Sequence, residues 1–283
     1  MPLVASTALL VTLAVCLAIT YALGRYTGGL KLPYFSELGR DPPSYYVFGI
    51  GLTIVAVAIF MTWILNFVYQ LASLRLRIRR GLLSRWILVW SVLVVVLGVL
   101  STPGLPILSF CSTTSCPQVH IYATYWFFLL ETLALVINTC IMYKLLRVPR
   151  TSTANPAAFE RTHKSLRRTV TLQVACTVLL VLTALMLIPI GIALVEPVPR
   201  LSVSECLAKQ LGTTYCTSTM RYNAQKTKLW DYESNFAVHQ ARAVCEWVAM
   251  FSLVGYSLSF MLYRDYEIEQ SHEPDMGANL LNA

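Results

Sequence analysis

The sequence predicts an all-α, polytopic membrane protein, a bundle of six transmembrane helices with both termini cytosolic. Three observations predict it. Of 283 residues, 56% are hydrophobic and 13% charged, where an ordinary soluble domain is roughly a quarter charged. The apolar residues gather into about six blocks of the roughly 20 residues that a helix needs to cross the hydrocarbon core. The Lys and Arg residues behind the net charge of +8 concentrate in two of the connections, which makes the basic balance topological and gives no reason to expect nucleic acid. The connections are too short for a second domain of ordinary size, so residues 1–264 read as one membrane domain and 265–283 as an acidic, disordered cytosolic tail.

Residues 3–23 form the first span, retained rather than cleaved because no small-residue cleavage site precedes Gly24. The following segment carries Pro33, Gly39, Pro42 and Pro43, which suit a structured loop and not a helix. Residues 47–71 form span two. Arg75, Arg77, Arg79, Arg80 and Arg85 then make a short basic connection, read as cytosolic. Span three covers 86–108, bent or shortened by Pro103 and Pro106, and span four covers 121–143. Lys144, Arg147, Arg150, Arg161, Lys164, Arg167 and Arg168 form the second basic loop. Span five is 170–195 and span six 243–263, separated by the longest loop. In the short loops, twelve Lys and Arg lie on the cytosolic side and three on the other, a bias that sets the orientation.

Eight cysteines divide by compartment. Cys16, Cys140 and Cys176 are small apolar packing residues within spans. Cys111 and Cys116, and Cys206 and Cys216, fall in exoplasmic loops where disulfides persist. Four cysteines allow three pairings, of which the local pairs 111 to 116 and 206 to 216 are favoured. No Cys and His spacing suits zinc, so neither metal nor cofactor is expected.

Charges within or beside the spans carry the functional question, because a carboxylate in hydrocarbon costs several kcal/mol. Glu131 lies about 16 Å along its helix from His120, near the bilayer centre. His239, Arg242 and Glu246 share one helix face at i, i+3, i+7 spacing. Together with His120 they suggest a catalytic or lipid-headgroup site at the exoplasmic end, where Arg242 would meet a phosphate and a histidine would move a proton. The plainer reading, weighted about two to one over it, is a buried network joining helices, with Arg242 paired to Glu246 at i, i+4. A third reading, a transporter, needs an aqueous path through Glu131. No nucleophile elbow, metalloprotease helix, phosphate loop or dinucleotide fingerprint is present.

Two stretches resemble the Frag/DRAM/Sfk family. Leu32-Pro33-Tyr34-Phe35-Ser36-Glu37-Leu38-Gly39, followed by Pro42-Pro43 and Val47-Phe48, is similar to the family's first loop. Ala243-Val244-Cys245-Glu246-Trp247, with Phe260 and Asp265 after it, is similar to its ending, and His120 matches in place. Cys-Glu-Trp is shared with autophagy-modulator and Sfk-like members, whereas Tyr45-Tyr46-Val47 and Ile50-Gly51-Leu52 resemble the post-GPI-attachment branch. Physically the first-loop motif, which opens at Pro33, reads as a re-entrant or capping turn in which Gly39, Pro42 and Pro43 fix an irregular backbone while Ser36, Glu37 and Asp41 cap span ends or contact the headgroup layer, or else as a rigid loop that only packs the bundle.

The resemblance implies a multi-pass protein, leaning non-enzymatic, that binds or organises membrane lipid and modulates endolysosomal trafficking, autophagy or phosphoinositide signalling. The alternative it implies is a factor or enzyme in GPI-anchor lipid remodelling. Partners would be membrane lipids, anionic phospholipid among them, and proteins not identifiable from the sequence. The compartment would be lysosome, Golgi, endoplasmic reticulum or plasma membrane.

Overall fold

The computed structural model describes residues 1–148, 156–187 and 198–262. The end of span five, Arg150, Tyr263 and the acidic tail lie outside them. The long helices are α1 (Pro2–Ala22), α3 (Ser44–Arg79), α4 (Trp86–Ser101), α6 (Pro117–Arg147), α7 (Pro156–Leu185) and α9 (Phe236–Ser259). The short helices α2 (Phe35–Leu38), α5 (Gly104–Phe110) and α8 (Val203–Ala208), and the strands β1 (Arg200–Ser202) and β2 (Lys226–Trp230), lie in or next to the connections. Five helical segments, at Pro2–Ala22, Ser44–Arg79, Trp86–Phe110, Pro117–Arg147 and His163–Leu185, are long and apolar enough to cross a membrane.

The six long helices close a ring in chain order: α1 packs on α3, α3 on α4, α4 on α6, α6 on α7, α7 on α9, and α9 on α1. Short connections force antiparallel neighbours. Inward faces bury Leu52, Trp63, Phe127, Leu180 and Tyr256, while Ile50, Val57, Leu65, Val92, Leu129 and Leu182 point outward. An apolar exterior on an apolar interior is what a lipid solvent requires. Where two helices approach closely, a glycine makes room: a side chain at Gly98 on α4 would lie 2.5 Å from the Trp63 ring of α3.

Helix boundaries decide one point that the sequence reading left open and correct another. Span three is bent, since the helix pauses after Ser101 and resumes as α5 at Gly104, where Pro103 and Pro106 remove backbone donors. The first basic connection is largely helical, because α3 runs on to Arg79 and the turn is confined to Arg80–Arg85 around Gly81, whose φ is +71°. One consequence is that Arg77 is not a surface charge. It falls on the inward stripe with Gln70, Ser73 and Leu74, is 1% exposed, and donates to the Ser73 hydroxyl and, at 3.3 Å, to the Ser73 carbonyl. Arg75, Arg79, Arg80, Arg147, Arg167 and Arg168 remain exposed.

The long loop folds on itself at the opposite end of the bundle. β1 and β2 pair antiparallel with Arg200 opposite Trp230. Ser202 starts α8 with a capping box in which its hydroxyl accepts from the Glu205 amide and the Glu205 carboxylate accepts from the Ser202 amide. Cys206 and Cys216 form a disulfide beneath this small sheet. The other local pair does not form. Cys111 and Cys116 are free thiols flanking a turn in which Ser112 bonds to Ser115.

Candidate functional site

The loop end of the bundle is assembled from three segments far apart in sequence: the first loop with α2, the turn between α5 and α6, and the long loop leading into α9. α9 clamps the first loop by its backbone. Gln240 accepts from the Lys31 and Leu32 amides at 2.9 and 3.3 Å and donates back to the Leu32 carbonyl at 3.1 Å. Trp247 donates its indole N–H to the Pro33 carbonyl at 2.9 Å. The Glu246 carboxylate accepts from the Phe35 amide at 2.8 Å and also takes the Ser36 amide, filling the orphan donors at the start of α2. The Tyr34 hydroxyl pairs with Nδ1 of His239 at 3.0 Å. The two motifs that stand apart in sequence are therefore two halves of one joint. Gly39 completes it sterically, since a side chain there would lie 2.2 Å from the Phe48 ring, while Pro42 and Pro43, joined by a cis peptide, lead into α3.

Beneath this joint Glu37 and Asp41, expected as caps or headgroup contacts, close instead on Arg40, which the sequence reading did not single out. Glu37, Arg40 and Asp41 are all buried. Arg40 pairs with Glu37, grips Asp41 through Nε at 3.2 Å and Nη2 at 3.0 Å, and donates to the Tyr26 carbonyl at 2.6 Å. The Tyr215 hydroxyl donates to Asp41 at 2.7 Å, and those of Tyr232 and Thr113 donate to Glu37, each at 3.2 Å. Burial alone would raise the Asp41 carboxyl, but the Arg40 guanidinium and the bonds from Arg40 and Tyr215 hold it below its ordinary value. Burial pulls Arg40 the other way, and its two carboxylates keep it firmly charged. The cluster ties the first loop to the other two segments.

Between the joint, α6 and the end of α7 lies a cavity of about 460 Å³, whose walls include His120, His239, Arg242 and Glu246. The four residues singled out in the sequence thus meet around one space, joined by Tyr34, Ser36, Tyr125, Trp230 and Tyr232. Nδ1 of His120 faces the carbonyls of Leu108 and Cys111 at 2.8 and 2.9 Å. Both can only accept, so Nδ1 carries the hydrogen and Nε2 is the basic nitrogen. Arg242 does not pair with Glu246, contrary to the i, i+4 expectation, because Glu246 is turned to the α2 amides. Among the described residues, the Arg242 Nη2 reaches the Leu187 carbonyl at 3.3 Å and its Nε is buried without a partner.

Glu131 is elsewhere. It lies in the bundle interior, 3% exposed, accepting from the Trp63 indole at 3.1 Å and the Ser101 hydroxyl at 2.5 Å. The space beside it, about 20 Å³, has room for about one water, so the aqueous path that a transporter needs is not found at this residue. A second network, unforeseen in the sequence, links Asn138 to Asn66, Gln70 and Tyr256, with Ser91, Thr139 and Thr177 extending it across five helices.

A closed ring of long apolar helices, with a cavity at one end whose largely apolar wall carries a few polar side chains, defines an integral, multi-pass membrane protein. Its sequence profile matches the Frag1/DRAM/Sfk1/Cwh43P N-terminal domain over residues 1–262, and the chain belongs to that family. No curated protein and no solved structure matches it. Among the described residues, no group of three His, Cys, Asp or Glu is placed to hold a metal ion.

Proposed function

We propose that this is a six-span protein with cytosolic termini that binds a membrane lipid in the cavity at its exoplasmic face. By holding or organising that lipid it modulates endolysosomal trafficking, autophagy or phosphoinositide signalling. The observation that carries this reading is Arg242, a guanidinium on a largely apolar wall with one carbonyl as its partner. A cation so placed is the complement of a phosphate. The sixth span is α9, whose 24 residues close the ring between α7 and α1. On the cytosolic side, Arg75, Arg79, Arg80, Arg147, Arg167 and Arg168 face the anionic leaflet, where each contributes on the order of 1 kcal/mol; Arg77 takes no part.

The test is photo-crosslinking in cells with a diazirine-bearing, clickable phospholipid and the full-length chain, followed by peptide mapping. Crosslinks on the first three turns of α6 or the first three of α9 support the reading. Crosslinks confined to the outer faces of the bundle would sink it.

A second reading, GPI-anchor lipid remodelling, is favoured by one observation: His120 is held as the tautomer whose Nε2 is basic, on a wall of this cavity, as a general base must be. Mass spectrometry of GPI lipids from cells lacking the protein decides it, and unchanged acyl chains would argue against it.

A further inference from the structure

The cavity wall carries more than a cation. Among the described residues Glu246 is its one carboxylate, and four aromatic rings, Tyr34, Tyr125, Trp230 and Tyr232, line the same space as Arg242. We propose that the site takes a phosphocholine headgroup, the phosphate on Arg242 and the trimethylammonium among the aromatic rings. This rests on the lipid-binding reading above and names the headgroup.

Three features point to a zwitterion in preference to a simple anion. First, the wall itself is dipolar. Among the described residues Arg242 makes no ion-pair contact, and the Glu246 carboxylate accepts from the amides of Phe35 and Ser36. An anionic ligand would gain from Arg242 and be opposed by Glu246, whereas a headgroup with both signs, suitably oriented, satisfies both.

Second, the aromatic residues are arranged as a quaternary ammonium site needs. Tyr34 and Tyr232 meet edge to face with centroids 5.2 Å apart, and their hydroxyls are drawn to His239 and Glu37. That anchors the rings and leaves them as fixed π surfaces. Trp230 is already a cation-binding ring, for the Arg200 guanidinium lies 4.4 Å from its centroid. A quaternary ammonium, which has no N–H to donate, is the cation that gains most from such walls.

Third, the dimensions fit. The cavity lies within the range of sites that enclose a small ligand, and Trp230 donates to the Thr113 carbonyl at 3.3 Å, joining the long loop to the α5–α6 turn beside it. A compact headgroup fits beneath that contact. The acyl chains leave along Ile121 and Leu187, between α6 and the end of α7.

The experiment uses the full-length chain purified in a neutral detergent. Lysophospholipids of one chain length are titrated, with protection against thermal unfolding as the readout. The headgroups are phosphoethanolamine, its mono- and dimethyl forms, phosphocholine, and the bare phosphomonoester. The expected result is affinity rising with each methyl, with phosphocholine on the order of tenfold tighter than phosphoethanolamine. Arg242→Gln should weaken every member of the series roughly tenfold while keeping the methyl trend. The methyl series needs no variant, so misfolding cannot mimic its outcome. A bare phosphomonoester that binds as tightly as phosphocholine, or a flat methyl series, overturns the phosphocholine assignment and leaves lipid binding standing. If no headgroup protects the protein, the lipid-binding reading falls with it.

Discussion

Two arginines stand at the same end of the bundle in opposite circumstances. Arg40 is sealed between Glu37 and Asp41 and also donates to the Tyr26 carbonyl. Arg242, one joint away, has among the described residues one carbonyl and a buried Nε with nothing to meet it. Folding accounts fully for the first and not for the second. A buried charge that is completely paired holds segments in register, and a charge left incomplete by the fold is available to a ligand. The same contrast separates the carboxylates, since Glu37 answers three segments of the protein whereas Glu246 shares its wall with an unpaired guanidinium.

The sharpest way to break the comparison is to remove Arg40. Arg40→Ala leaves two carboxylates buried without a cation, and removing one partner of a buried pair typically costs about 3–5 kcal/mol. The expected outcome is loss of folded, monodisperse protein, or a large fall in thermal midpoint, read by fluorescence-detected size exclusion on heating. A midpoint within a degree or two of wild type would mean that the cluster does not hold the loops.

Next in size is the disulfide. Reducing Cys206–Cys216, or replacing both with Ser, should cost about 2–4 kcal/mol of long-loop stability. Hydrogen exchange would report it as lost protection over β1 and β2, with the helix ring unchanged. The free pair Cys111 and Cys116 serves as the internal control, since Ser at both positions should leave exchange in the sheet as it was.

Acid comes third. The Asp41 carboxyl is held below its ordinary value in the folded protein, so on acidification the unfolded chain takes up the proton first. Its contribution is complete above the unfolded value of about 3.9 and disappears as pH falls through the lower folded value. Thermal midpoints should therefore be insensitive to this group from pH 7 to 5 and drop below about pH 4, and Asp41→Asn should flatten that acid limb. A wild-type midpoint that already falls between pH 6 and 5 would point to a different group.

Much of the helix ring was legible because lipid imposes one simple rule, a run of apolar residues long enough to cross. The ends of the helices were less so. The rule says nothing about water, and α3 can carry Arg75, Arg77 and Arg79 on helical turns beyond the hydrocarbon. Within the spans, the Asn138 network was not seen, because Asn138, Tyr256 and the pair Asn66 and Gln70 come from three separate helices and no local pattern joins the three. At the site, His120, His239, Arg242 and Glu246, grouped in the sequence, do line one cavity, but the partner expected for Glu246 is not the one the fold supplies. Helical spacing proposed Arg242 for Glu246. The fold supplies the amides of Phe35 and Ser36, about 210 residues away in the chain, satisfying a helix start that only tertiary structure could bring there. The aromatic wall was missed for a related reason. Tyr34, Tyr125, Trp230 and Tyr232 sit in three separate stretches, and a tyrosine in a loop looks like any other until its neighbours are known.

The smallest expected change in stability is also the most informative about the comparison. Arg242→Gln removes a cation whose hydrogen-bond partner among the described residues is the Leu187 carbonyl and relieves an Nε that is buried and unpaired among them. Without lipid, the melting free energy should move by less than about 0.5 kcal/mol and could move upward, since a neutral amide is less costly to bury than an unsatisfied guanidinium. Added phospholipid should then protect the wild type and fail to protect the variant to the same degree. If Arg242→Gln instead destabilises the lipid-free protein as severely as Arg40→Ala, the two arginines are the same kind of residue, and the cavity is a structural seam. A silent substitution in the empty protein that becomes costly only when lipid is present is the behaviour of a binding residue, and a defect of packing would not produce it.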